Sequence, residues 1–344
     1  MKHALKILCP IILICTHVFA DNNIQDLINS GEIKSCMLAN GTLQLAHKGL
    51  QSLMGIKNVP YAGSIKLIDL SHNKISDLKG YSFSHFPQLK QLWLNNNHLE
   101  DISELHDVAG LENLQVLDVR SNKIRQISER AFKNLGKLEI LFLDNNQLES
   151  LAPLDFLTNL RELHLSHNRL HTFDQQQFSK LSMLYILNLG FNEIKRIKLA
   201  NICLLKNLEM LFLNYNKLNE LPSYAFVACP RLQALYLQDN AINELQDNSF
   251  AGLADMRLLY LYNNSLETLS SNIFRDLQNL HVLYLNNNSI RQFEKDWGRG
   301  LGSLHILDLS YNGLSDVRAQ DIQTQHLKKL QHCYLYNFKN DRIL

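Results

Sequence analysis

Side chains that could do chemistry are plentiful in this chain, but few stand at the spacing chemistry requires. Its fourteen histidines are scattered, and no HExxH or CxxC pairing gathers them around a metal ion. No GxSxG elbow and no phosphate-cradling glycine loop occurs. His164, Asp118 and Asp144 come nearest to an acid–base group, and no nucleophile accompanies them. Catalysis, a metal and a cofactor are therefore not expected. The charge balance, 34 basic against 33 acidic residues for a net +1, gives no reason to expect a polyanion such as nucleic acid as partner. The residues that do recur at a fixed spacing are asparagines, leucines and aromatics, and their chemistry is hydrogen bonding and contact.

The cleanest copy of the recurring stretch is LHVLYLNNNSI, Leu280 to Ile290, written here LxxLxLxxNxL. Its asparagine recurs at Asn73, Asn97, Asn122, Asn146, Asn168, Asn192, Asn216, Asn240, Asn264, Asn288 and Asn312. The interval is 24 residues, except for 25 before Asn122 and 22 before Asn168. A fixed period of this length is the mark of a solenoid, and the pattern resembles the leucine-rich repeat. The expected fold is an α/β leucine-rich repeat solenoid, a curved horseshoe with a parallel β-sheet on its concave face.

The letters of one repeat follow from geometry. Leu283 and Leu285 alternate along a short strand and face inward, while Tyr284 between them faces outward. Successive strands lie side by side, so each coil covers the apolar face of the next. The asparagine stands where the chain turns behind the strand, where its amide can both donate to and accept from buried backbone groups. Phe83, Phe132, Phe156, Phe178, Phe226, Phe250 and Phe274 each follow an asparagine by ten residues and are expected to form a buried column under the convex side.

Binding must then come from the outward positions. Between the paired leucines stand Asp69, Trp93, Asp118, Phe142, His164, Asn188, Phe212, Tyr236, Tyr260, Tyr284 and Asp308. Phe212, Tyr236, Tyr260 and Tyr284 make an aromatic ladder over four consecutive coils, with Tyr262 in the margin beside it. Ile186, Met210, Leu258, Val282 and Ile306 add apolar surface, and Asn214, Gln238 and Asn286 a polar border. Amphipathic aromatics with a polar rim suit the core of a protein interface. Cross-strand stacking that stabilises the sheet is the other reading, and the two are compatible.

The ends carry different signals. Residues 1–20 read as a signal peptide, with Lys2, His3 and Lys6 before an apolar run and Val18-Phe19-Ala20 as a cleavage site. That run is too short to span a membrane. Residues 21–64 are expected to cap the first coil with a degenerate repeat around Leu43, Leu45 and Leu50, where Lys48 replaces the asparagine. Residues 65–326 hold the solenoid of about eleven repeats, and 327–344 an incomplete terminal repeat. Secretion would make Asn40, Asn263 and Asn287 glycosylation acceptors. Four cysteines follow the leader: Cys36, Cys203, Cys229 and Cys333. Coils stack at about 4.8 Å, so Cys36 and Cys333 lie roughly 50 Å apart, beyond the ~7 Å that a bridge spans. Cys203 and Cys229 fall in successive coils and are the candidate intramolecular pair, unless Cys229 is simply a small buried side chain. Cys333 either links two chains or is buried in the last coil.

The repeat resembles the extracellular typical subfamily of leucine-rich repeat proteins, over Cys36 to Leu335. With its signal peptide and sparse cysteines, the chain looks most like the secreted leucine-rich immune proteins of mosquitoes. That resemblance implies an extracellular protein of innate immunity, a complement-like protein partner on the concave surface, and a disulfide-linked dimer through Cys333. The chain lacks the coiled coil that the fuller family pattern carries. The competing expectation is the outer part of a leucine-rich repeat cell-surface receptor or adhesion protein whose remaining segments lie beyond Leu344.

Overall fold

The computed structural model describes residues 23–336 except 104, 106, 107, 199–204, 228, 315–321, 323 and 324, so the expected signal peptide lies outside the described residues. Each repeat lays down one three-residue strand, such as Met210–Phe212 or Val282–Tyr284. Three residues suffice because the middle one is a leucine pointing inward; Leu211 and Leu283 are 1% and 0% exposed. These strands join in a single 14-stranded sheet whose order follows the chain. All neighbours run parallel except the first pair, Met37–Leu38 with Thr42–Gln44, which is antiparallel. That hairpin shortens the sheet edge to the two residues Met37–Leu38, which leaves little unpaired backbone open to other chains. Behind it, Asn23 accepts the Asp26 N–H at 3.2 Å and starts a helix, Ile24–Asn29, that buries Ile24 and Leu27. The helix lies so close to the first coil that a Cβ on Gly55, at φ +89°, would stand 2.5 Å from the Gln25 nitrogen. Leu43, Leu45 and Leu50 are fully buried beneath this cap.

The asparagines bind coil to coil. Asn216 accepts the Ile194 N–H of the preceding coil at 2.9 Å, and its amide nitrogen donates to Leu189 O at 2.9 Å and Leu213 O at 3.1 Å. The same arrangement runs from Asn73, which accepts from both Lys48 and Leu50, to Asn312, which accepts from Ile290. Each amide thus pairs buried backbone groups that the turn leaves without a strand partner.

The phenylalanine column forms, with one correction. Phe226, Phe250 and Phe274 are buried and stack at centroid distances of 6.5 and 6.0 Å. Phe156, expected in the same column, is 39% exposed. Its coil is two residues shorter, so Leu154 takes the inward place and Leu157 the next, each almost fully buried. In the coil with one extra residue Val108 fills the place instead. The expected solenoid with its parallel sheet forms, and it holds little helix. The convex segments are mainly turns and short paired strands, as in Glu220–Leu221 with Glu244–Leu245, rather than helices.

Candidate binding face

The parallel register puts Phe212, Tyr236, Tyr260 and Tyr284 directly beside one another. Their rings stack in a continuous pile: Phe212 to Tyr236 at 4.4 Å and 7°, Tyr236 to Tyr260 at 4.8 Å and 13°, Tyr260 to Tyr284 at 5.1 Å and 38°. Tyr262 meets Tyr260 edge-on at 6.4 Å. All five rings are half-buried, covering one another's faces and turning their edges to solvent. Burial pushes the hydroxyls of Tyr236, Tyr260, Tyr262 and Tyr284 above the ordinary tyrosine range, so they stand as neutral donors near pH 7. In the border, Asn214 and Asn286 are half-buried, whereas Gln238 sinks to 8% exposure and presents little to solvent.

A second aromatic file runs along the margin, at positions the sequence reading passed over. Every residue just before a ladder asparagine has a left-handed backbone, with φ between 52° and 58° from His72 to Tyr311. Asn, Asp, His and Ser fill most of these places, as the conformation favours. Phe191 and Tyr215 do not fit that preference, yet they are 40% and 45% exposed. With His167 they form a stack at 4.1 and 4.2 Å. Bulky rings held in this conformation cost about 1 kcal/mol each, and strain of this kind collects at functional surfaces. The signal was available in the sequence as aromatic letters immediately before Asn192 and Asn216.

The N-terminal half of the concave face is chemically different. Arg120 holds Asp118 at 2.6 Å and lies 4.4 Å from the centre of the Phe142 ring. Asp144 accepts from the Ser166 N–H at 2.9 Å and from its hydroxyl at 2.7 Å. His164 stands 3.2 Å from Glu162, which also accepts from the Tyr185 hydroxyl. The bond to His164 draws the Glu162 carboxyl below its usual range, and burial with the Glu162 contact pushes Tyr185 up to about 12. His164, Asp118 and Asp144 are therefore each spent on a neighbour. Among the described residues, no group of three or more metal-ligating side chains is gathered.

Cys203 lies outside the described residues; Cys229 is a buried thiol pushed up to about 12 by desolvation. Cys333 fills the inward place of the last strand, His332–Tyr334, at 7% exposure, and burial pushes it up to about 11. That position withholds the sulfur from a second chain, against its expected linking role. Asn40, Asn263 and Asn287 are all exposed, the last two within the left-handed file.

Known proteins share this architecture. A family described as "Leucine rich repeat" matches residues 101–148, 158–218, 206–266, 230–290, 256–314 and 278–337. One described as "Leucine Rich repeats (2 copies)" matches 64–105. No curated protein matches the chain. Among solved structures, a leucine-rich repeat protein of Leptospira interrogans is 27% identical with a TM-score of 0.73, over 92% of this chain and 76% of its own. The TLR13–ssRNA13 complex gives 26% and 0.71, over 84% of this chain and 42% of that one. A chain of the Drosophila Toll–Spatzle complex gives 22% and 0.70, over 87% and 40%, a likeness of fold alone. The chain thus spans about two-fifths of the length of these last two, at 42% and 40%.

Proposed function

The chain belongs to the leucine-rich repeat family, and on that premise we propose that it is a secreted, non-enzymatic binding protein that holds a protein partner on its concave face. The observation that carries this reading is the ring pile from Phe212 to Tyr284, joined at its margin by the Phe191–Tyr215 stack. Stacked, half-exposed aromatics in a row form a rigid amphipathic surface that loses little side-chain freedom when covered. The first strand positions beside the pile, Met210, Ala234, Leu258 and Val282, carry no charge, so a partner need not desolvate an ion there. The paired Asp118–Arg120 and Glu162–His164 groups upstream offer a polar flank that sets orientation.

Secretion, glycosylation at Asn40, Asn263 or Asn287, and a role in innate immunity with a complement-like partner rest on the leader sequence, the sequons and the family resemblance. No helix among the described residues is long and apolar enough to cross a membrane. The experiment is expression in insect cells, followed by capture of partners from extracellular fluid on the immobilised chain. Hydroxyl-radical footprinting of the captured complex should protect Tyr236, Tyr260 and Tyr284. Retention in the cell would remove secretion from the reading, and protection confined to the convex loops would remove the concave site.

A further inference from the structure

The loops where the last convex segments turn back into the strands hold an open groove that the concave site does not use. Arg275, Asp276, Arg299, Ser303, His326 and Lys328 line it, a set with three cations and one carboxylate. Arg275 and Arg299 occupy the same place in successive coils, 24 residues apart, and Lys328 belongs to the coil after them. The coils approach closely here, as they do at Gly110. A Cβ on Gly300, at φ +95°, would lie 2.1 Å from Phe274 O and 2.6 Å from the Arg275 Cα, so only glycine admits the approach that brings the two arginines together.

Their charges are largely uncompensated. Asp276 is 3.4 Å from Arg275, but its other oxygen already accepts the Gly252 N–H at 3.0 Å. Arg299 and Lys328 are exposed and form no ion pair among the described residues. Arg299 and Lys328 stand in adjacent coils with no acidic partner among the described residues, and neighbouring unpaired cations favour a ligand with repeated negative charge. The one ring among the residues lining the groove is the His326 imidazole, held 3.5 Å from Asp296, so successive nucleic-acid bases would find no row of rings to stack on. No apolar side chain lines it either, so an acyl chain would find no seat.

We propose that this groove binds a sulfated polysaccharide, its anionic groups paired with Arg275, Arg299 and Lys328 along the solenoid axis. The site is separate from the aromatic pile and goes beyond the partner reading above. The test measures affinity of the full chain for a labelled heparin fragment across a salt series, with inorganic sulfate and a single-stranded RNA homopolymer as competitors. Arg299→Ala with Lys328→Ala should weaken heparin binding about tenfold at physiological salt and make the slope of log K against log salt shallower by about two, one for each cation removed. Lys133→Ala with Lys137→Ala, on exposed cations elsewhere, should bind as wild type does, as should Tyr236→Ala with Tyr260→Ala. Circular dichroism confirms that each variant folds. Unchanged affinity in the groove variant overturns the proposal, as does an equal loss in the Lys133/Lys137 control. RNA that displaces heparin as well as heparin displaces itself overturns the assignment to a polysaccharide.

Discussion

At the scale of single residues, the solenoid depends on side chains that satisfy buried backbone, and it keeps its buried thiols from reacting. Asn216 joins two coils through four side-chain hydrogen bonds, so Asn216→Leu strands those backbone groups. The expected loss is about 1–3 kcal/mol, read as a lowered midpoint of chemical unfolding. The thiols give a pH prediction. Cys229 and Cys333 are raised by burial to about 12 and about 11, from ordinary values near 9. Both are protonated in the folded protein at pH 8, so alkylation should be slow until denaturant is added. The unfolded chain releases these protons first, so the stability they contribute is whole below pH 9 and is lost as pH rises through 11 to 12. A native-state labelling rate equal to the unfolded rate would contradict the burial. Non-reducing electrophoresis should show a monomer for both wild type and Cys333→Ser. These residue-level facts were only partly legible in the sequence. The asparagine period declared a ladder, since it needs only spacing. The pairing of Asp118 with Arg120 and the seat of Arg120 over Phe142 depend on rotamers and on a neighbouring coil, which no local pattern encodes.

At the scale of the element, the coil tolerates a change of length by exchanging which side chain fills the core. Phe156 keeps its spacing from Asn146 and still leaves the core, because two residues are missing between the asparagine and the convex turn. The inward place is fixed by distance to the next coil: Leu154 stands 14 residues before Asn168, as Phe250 stands 14 before Asn264. The two phenylalanines should therefore answer differently to truncation. Phe226→Ala opens a cavity and is expected to cost about 3–5 kcal/mol, whereas Phe156→Ser should stay within about 0.5 kcal/mol. Unfolding midpoints of the two variants, measured side by side, check the assignment; equal losses would return Phe156 to the core. The left-handed position before each asparagine is likewise a property of the coil, and it explains why Phe191 and Tyr215 lie in the margin rather than beneath it.

At the scale of the whole molecule, one-dimensional stacking turns a column of letters into a surface. Phe212, Tyr236, Tyr260 and Tyr284 are 24 residues apart in sequence and in ring contact in the fold. That surface was legible because register in a solenoid is fixed by the repeat itself. The basic groove was not, since the overall charge of +1 conceals a local excess and its cations come from loops outside the repeated consensus. The same one-dimensional build confines damage, because each coil touches only its neighbours. Replacing solvent-edge rings should thus leave folding nearly intact while removing contact area. The most direct test is partner affinity of the Tyr236→Ala, Tyr260→Ala double variant beside wild type, with thermal midpoints recorded for both. The expected loss is at least about 2 kcal/mol, roughly thirtyfold in Kd, with the midpoint little changed. Wild-type affinity in a folded double variant would contradict it.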